Sequence, residues 1–182
     1  MPVAQALALI LTESNTDMTT EPKRWLTNSL RSRLIPEFER RGFNVVPLTG
    51  DDARSGEIRA AFPFGRLRRP GPNGLEMVEI QLDKHGRAAF RLNIGVAPSG
   101  GIAHAVGQVA QEDIWVHYLS RYYEVYRWPL ARRWFSVWRW PGSSATQADY
   151  DALVKRVVDL IPEVEEVLTS GGRGPHIRLI GA

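Results

Sequence analysis

Val78-Glu79-Ile80-Gln81-Leu82-Asp83-Lys84-His85-Gly86-Arg87-Ala88-Ala89-Phe90-Arg91-Leu92-Asn93-Ile94-Gly95-Val96 decides the fold class. Val78, Ile80 and Leu82 alternate with Glu79, Gln81 and Asp83. After a Lys84-His85-Gly86 turn the alternation resumes: Phe90, Leu92, Ile94 and Val96 against Arg91 and Asn93. Successive strand residues point to opposite faces, so this is a β-hairpin with one apolar face. The spacing predicts Ile94 inward and Arg91 outward, with Glu79 and Asp83 on a wet face.

Two amphipathic helices flank this hairpin. The first is predicted over Pro22–Arg41, with Thr20 as N-cap and Leu26, Leu30, Leu34 and Phe38 as its buried stripe. Pro36 should kink its last turn, and Gly42 should cap it. The second is predicted over Thr146–Thr169, with a stripe through Tyr150, Leu153 or Val154, Val157, Ile161, Val164 and Leu168. Pro162 should kink it or divide it, and Gly171-Gly172 should stop it.

The remaining segments read less cleanly. Ile58–Leu67 alternates Phe62 and Phe64 with charged residues, which suggests an edge strand tolerant of Pro63. Arg69–Gly74, rich in Pro and Gly, reads as a loop. Ala103–Tyr126 fits a broken helix through Trp115, Leu119, Tyr122 and Tyr126, although its tyrosines and valines also suit a strand. Trp134–Trp140 alternates as a strand. His176–Ile180 reads as a short strand or tail.

Together these elements predict an α+β domain: an antiparallel sheet of about four to five strands packed against an N-terminal and a C-terminal helix. Residues 18–182 form the domain in this reading, and Met1–Asp17 is a dispensable extension, or lies upstream of a start at Met18. The order of Arg40-Arg41-Gly42-Phe43, Phe64-Gly65-Arg66, Val78–Leu82 and Leu92-Asn93-Ile94-Gly95-Val96 resembles a bacterial family catalogued as domain of unknown function 4304. The resemblance covers Pro22–Pro98 and, more loosely, Arg133–Thr169. It implies the same α+β fold. It brings no activity, cofactor or catalytic residue.

Composition bounds the function. The chain has 182 residues, a formal net charge of +3 and no cysteine. Disulfides, cysteine nucleophiles and thiolate metal sites are excluded, which fits a cytoplasmic setting. The longest apolar run, Val3–Leu11, is too short to cross a bilayer as a helix. No Gly-x-Ser-x-Gly elbow or phosphate-binding P-loop is present. Asp113 and His117 would share a helix face if their segment were helical, a spacing more typical of a surface pair than of a metal site. Nothing in the pattern calls for a metal or cofactor.

The sequence offers one functional segment, Tyr118–Trp140. Nine of its residues are aromatic, and five arginines face a single acid, Glu124. Guanidinium groups stack on rings and pair bidentately with carboxylate or phosphate. Tyrosine, tryptophan and arginine also dominate the energetic centres of protein interfaces. The candidate partner-binding residues are Arg121, Tyr122, Arg127, Trp128, Arg132, Arg133 and Trp138, with Arg66 and Arg68 extending the basic surface if their strand lies alongside. The expected partner is a protein, in an immunity- or antitoxin-like role by analogy. Single-stranded nucleic acid is the lesser alternative, and a small anionic ligand or substrate held by Arg91 and Asn93 beside a buried carboxylate or histidine is another. The competing structural reading has Trp134, Trp138 and Trp140 filling one side of the sheet.

Overall fold

A computed structural model of the chain describes residues 21–104, 107–127, 133–138, 143–172 and 174–181. The expected extension, Met1–Asp17, lies outside them, as do Trp128 and Arg132.

Helix α1 runs from Glu21–Ser29 through a π-helical turn, Leu30–Leu34, into Ile35–Arg40. The four-residue spacing of its apolar stripe explains the π turn. On a regular α-helix each such step drifts about 40° around the axis. Underwinding lets Leu26, Leu30, Leu34 and Phe38 share one face, and all four are fully buried. Pro36, which lacks an N–H, sits just after the turn and removes a bond from the regular ladder. Gly42, at φ +86°, reverses the chain, and the Phe43 N–H returns to the Phe38 carbonyl at 3.1 Å.

The chain then forms β1 (Asn44–Val46), α2 (Gly50–Arg54) and α3 (Gly56–Ala61). The strand expected over Ile58–Leu67 is therefore corrected. Ser55 caps a helix by accepting from the Ile58 N–H at 3.3 Å, and the strand begins only at Arg66. The expected loop at Arg69–Gly74 is mostly strand too. β2 (Arg66–Gly71) and β3 (Gly74–Leu82) form a hairpin that pairs Gly71 with Gly74 across Pro72-Asn73.

β4 (Ala89–Ala97) pairs antiparallel with β3, Val78 opposite Ile94 and Glu79 opposite Asn93, and Ile94 faces inward as the alternation predicts. After it come a small hairpin, β5 (Ile102–His104) and β6 (Gly107–Val109), two 3₁₀ turns, and β7 (Tyr122–Val125). Among the described residues of that stretch the expected broken helix is not formed. Ile114, Val116 and Leu119 pack on Met77 and Ala97 at spacings of two and three, which suits an irregular strap over a sheet and not a helix face. β8 (Phe135–Ser136) pairs with β4 beyond the end of β7.

The C-terminal helix divides at Pro162 into α4 (Gln147–Val158) and α5 (Ile161–Ser170). Thr146 and Asp149 form a capping box at the start of α4. Last comes β9 (Ile177–Ile180). The seven-stranded antiparallel sheet has the order β1-β2-β3-β4-β7-β9, with β8 also on β4. It exceeds the expected strand count because β1, β7, β8 and β9 are too short to show a period.

One face of the sheet packs Leu67, Val78, Ile80, Leu92, Ile94, Val125 and Phe135 against α1, α4 and α5. An ionic clamp closes its edge. Arg69 lies 4.4 Å from the Phe43 ring centroid and donates to Glu76 at 2.7 Å and to Glu165 at 3.0 Å, while Arg41 also meets Glu165. The other face is not wet, as the alternation suggested. Residues 98–104 and 107–121 strap it, and Glu79, Asp83 and Asn93 are buried. No described helix is long and apolar enough to cross a membrane.

Candidate functional site

The sheet pleat sets out the strapped face. Arg66 and Arg68, two residues apart on β2, emerge on the same side as Met77, Glu79 and Gln81 of β3 and Arg91, Asn93 and Gly95 of β4. Glu124 of β7 lies opposite Asn93, and Arg178 of β9 lies opposite Glu124. A polar row thus crosses the sheet from β2 to β9.

At its β2 end, Glu79 is 0% exposed, Arg66 4% and Arg68 5%. Glu79 Oε1 accepts from Arg68 at 3.3 Å and from the Val116 N–H at 2.9 Å. Arg68 also donates to the Ile114 carbonyl at 3.0 Å. The strap is therefore latched by side chains of the sheet. Burial pushes the Glu79 carboxyl up, opposed by Arg68, the Val116 N–H and Arg66. It pushes the Arg68 guanidinium down, opposed chiefly by Glu79. Each offsets the other's cost of burial. Arg66 stacks on Trp115 at 5.3 Å, and the Trp115 indole donates to Asp52 at 3.0 Å.

At the β7 end, Glu124 is buried beneath arginines. Arg91 donates to it at 3.1 Å and to Gln81 at 2.8 Å, and lies 5.2 Å from the Trp134 ring centroid. Arg91 is therefore half-buried and stacked, not the solvent-facing residue that the alternation suggested. Arg133 stands 3.8 Å from Glu124. Burial, followed by the charge of Glu124, raises the Tyr122 hydroxyl. His117 is pushed down by burial and by neighbouring His104 and Arg91, with Asp52 opposing, so its neutral form is favoured. Arg91, Asn93 and a buried carboxylate do meet, as the small-ligand reading required. Arg91 is nevertheless held by the protein's own acceptors.

The sequence candidates are spread over the molecule. Arg66 and Arg68 are buried on β2, with β3 between them and β4, so they do not extend a surface near β8. Arg121 is exposed beside a cleft of about 420 Å³ with Tyr118, Ser120 and Pro98. Tyr122 is half-buried, and Arg133 is exposed. Arg127 is half-buried and reaches the Ser136 carbonyl at 3.4 Å. Trp138 is 60% exposed, against 2% for Phe135, so among the described residues Phe135 and not Trp138 fills the core. A cleft of about 520 Å³ runs beside Trp138, lined by Arg127, Ser136, Ser143, Asp149 and Arg156.

Arg156 was missed by sequence reasoning because it lies on α4, far along the chain. Asp113 and His117 fall in separate 3₁₀ turns and share no helix face. Among the described residues no three histidine or carboxylate side chains converge as metal ligands. Compared with protein-family models, curated proteins and solved structures, the chain shows no match.

Proposed function

We propose that this chain is a protein-binding module whose contact surface is the Arg127–Trp138 end of the sheet. The observation that carries it is Trp138, a large ring 60% exposed at the lip of a cleft that also presents Arg127 and Arg156. A tryptophan flanked by arginines is the side-chain set that most often anchors an interface. Two arginines to one carboxylate, Asp149, line the cleft, an excess that favours an acidic partner surface, and such charges steer encounter and set specificity. An immunity- or antitoxin-like role in the bacterial cytoplasm is one concrete form of this reading. It rests on analogy with small bacterial binding domains and on the cysteine-free composition.

The test compares wild type with a Trp138→Ser/Arg156→Glu variant as bait. Captured proteins are identified and their affinities measured with purified components. The expected result is one acidic protein bound by wild type and lost by the variant, at an unchanged unfolding midpoint. Equal capture by both baits would overturn the assignment of the surface. Binding of single-stranded nucleic acid that falls steeply with salt would replace the protein partner by a nucleic-acid one.

A further inference from the structure

The β2 end of the strapped face holds more charge and more hydrogen-bonding capacity than its own contacts use. Arg66 and Arg68 are both nearly sealed from solvent, and Glu79 pairs with Arg68. Asp52 accepts from the Trp115 indole, not from either arginine. The arginines repel one another, which adds to the cost of burial at Arg68. Four buried side-chain atoms here have no partner: Arg66 Nε, Arg68 Nε, Glu79 Oε2 and Asn93 Oδ1. Asn93 is oriented by its amide nitrogen, which donates to Gln81 at 3.1 Å and leaves its oxygen unmatched. Glu79 and Asn93 are direct cross-strand partners, and Leu67, between the two arginines, pairs with Val78 beside Glu79. The unmatched atoms are thus neighbours, two donors and two acceptors. Unmatched buried groups are costly and rare in folded proteins, which marks such a set as built for something.

We propose that this face, between Arg66, Arg68, Glu79 and Asn93, binds a small protonated oxyanion of the phosphate class beneath the strap. Phosphate oxygens accept from the two Nε–H groups and offset the surplus positive charge. A P–OH group donates to Glu79 Oε2 or Asn93 Oδ1. Sulfate at neutral pH has oxygens but no O–H, so it would set an acceptor against a buried carboxylate. Acetate ion has the same defect. The chemistry therefore selects phosphate or a phosphate monoester over sulfate. Entry requires the strap to lift, and its latches are the Glu79 bond to Val116 and the Arg68 bond to Ile114. The site lies under the strap on β2 to β4, shares no residue with the α4-lined cleft beside Trp138, and stands or falls apart from the protein-binding reading.

The test is isothermal titration and thermal unfolding of the full chain at pH 7, with inorganic phosphate, sulfate and acetate at matched ionic strength. The expected result is a saturable heat and a saturable rise in midpoint with phosphate alone. The Arg66→Gln variant should lose the saturable part and keep the shared response to salt. If that variant fails to fold, the wild-type comparison decides alone. Phosphate and sulfate acting alike on wild type, or an undiminished phosphate response in Arg66→Gln, would overturn the proposal. Phosphate against glycerol phosphate then separates free phosphate from a monoester.

Discussion

Asp151 is the carboxylate on which the α1–α4 contact turns. It accepts from Ser29 at 2.7 Å, from Arg33 at 2.9 Å and from Gln147 at 3.0 Å. These bonds, with the Arg33 hydrogen bond foremost, lower its pKa from 3.8 to about 2. A shift of that size corresponds to about 2 kcal/mol of folding free energy, and solvent screening of a partly exposed pair reduces it to about 1.5 kcal/mol. The unfolded chain binds the proton more readily. The contribution is therefore complete above roughly pH 5, shrinks as pH falls through 4 and 3, and is gone below about pH 2. Urea unfolding of wild type and Asp151→Asn, repeated from pH 7 to pH 2, measures it. The gap between the two should be about 1–2 kcal/mol at pH 7 and close as pH falls. Asp83, whose pKa is also lowered, chiefly by Arg87, is common to both proteins and cancels from the difference. A gap that stays constant across the acid range, or is already under about 0.5 kcal/mol at pH 7, would refute the linkage.

Ile94→Ala truncates a fully buried side chain at the sheet centre and should cost roughly 2–5 kcal/mol in denaturant unfolding. Glu79→Leu leaves Arg68 buried without its carboxylate and should cost about 3–5 kcal/mol, much of which Arg68→Met in the same chain should restore. Gly95→Ala would place a Cβ 2.6 Å from Leu119 Cδ1, so it should cost roughly 1–3 kcal/mol and speed proteolysis within the strap.

The hairpin was legible because a period of two, read over Val78–Asp83 and again over Phe90–Val96, leaves one choice of faces that buries Ile94 and Val78 together. The α1 stripe was equally plain, although its spacing of four already implied an underwound turn. The burial of the second face was not legible from polarity. Glu79 and Asn93 look the same in sequence whether water or a strap covers them. Gly95 was the available signal. A glycine inside a strand marks close approach of another segment, and here Leu119 occupies the space that a side chain would take. Met77 and Ala97, apolar residues on the supposedly wet face, pointed the same way. The strap misled because Ile114, Trp115 and Leu119 can be drawn on a helix, whereas their partners on the sheet fix an irregular path. Trp138 and Arg156 meet only through tertiary packing, so no local pattern could join them.

The break between β7 and β8 follows a simple parity. Glu124 pairs with Asn93 and Phe135 with Phe90, so three steps along β4 answer to eleven along its neighbour. The surplus is even, and the two strand pieces keep the same inside and outside: Val125 and Phe135 both enter the helix-covered core. β8 takes its facing from its own pairing with β4, Phe135 opposite Phe90, so a change of length in the residues that join it to β7 need not turn Phe135 toward the strap. The connection, which carries Arg127, Trp128, Arg132 and Arg133 of the candidate contact residues, can thus vary in length while the sheet on either side of it stays in frame.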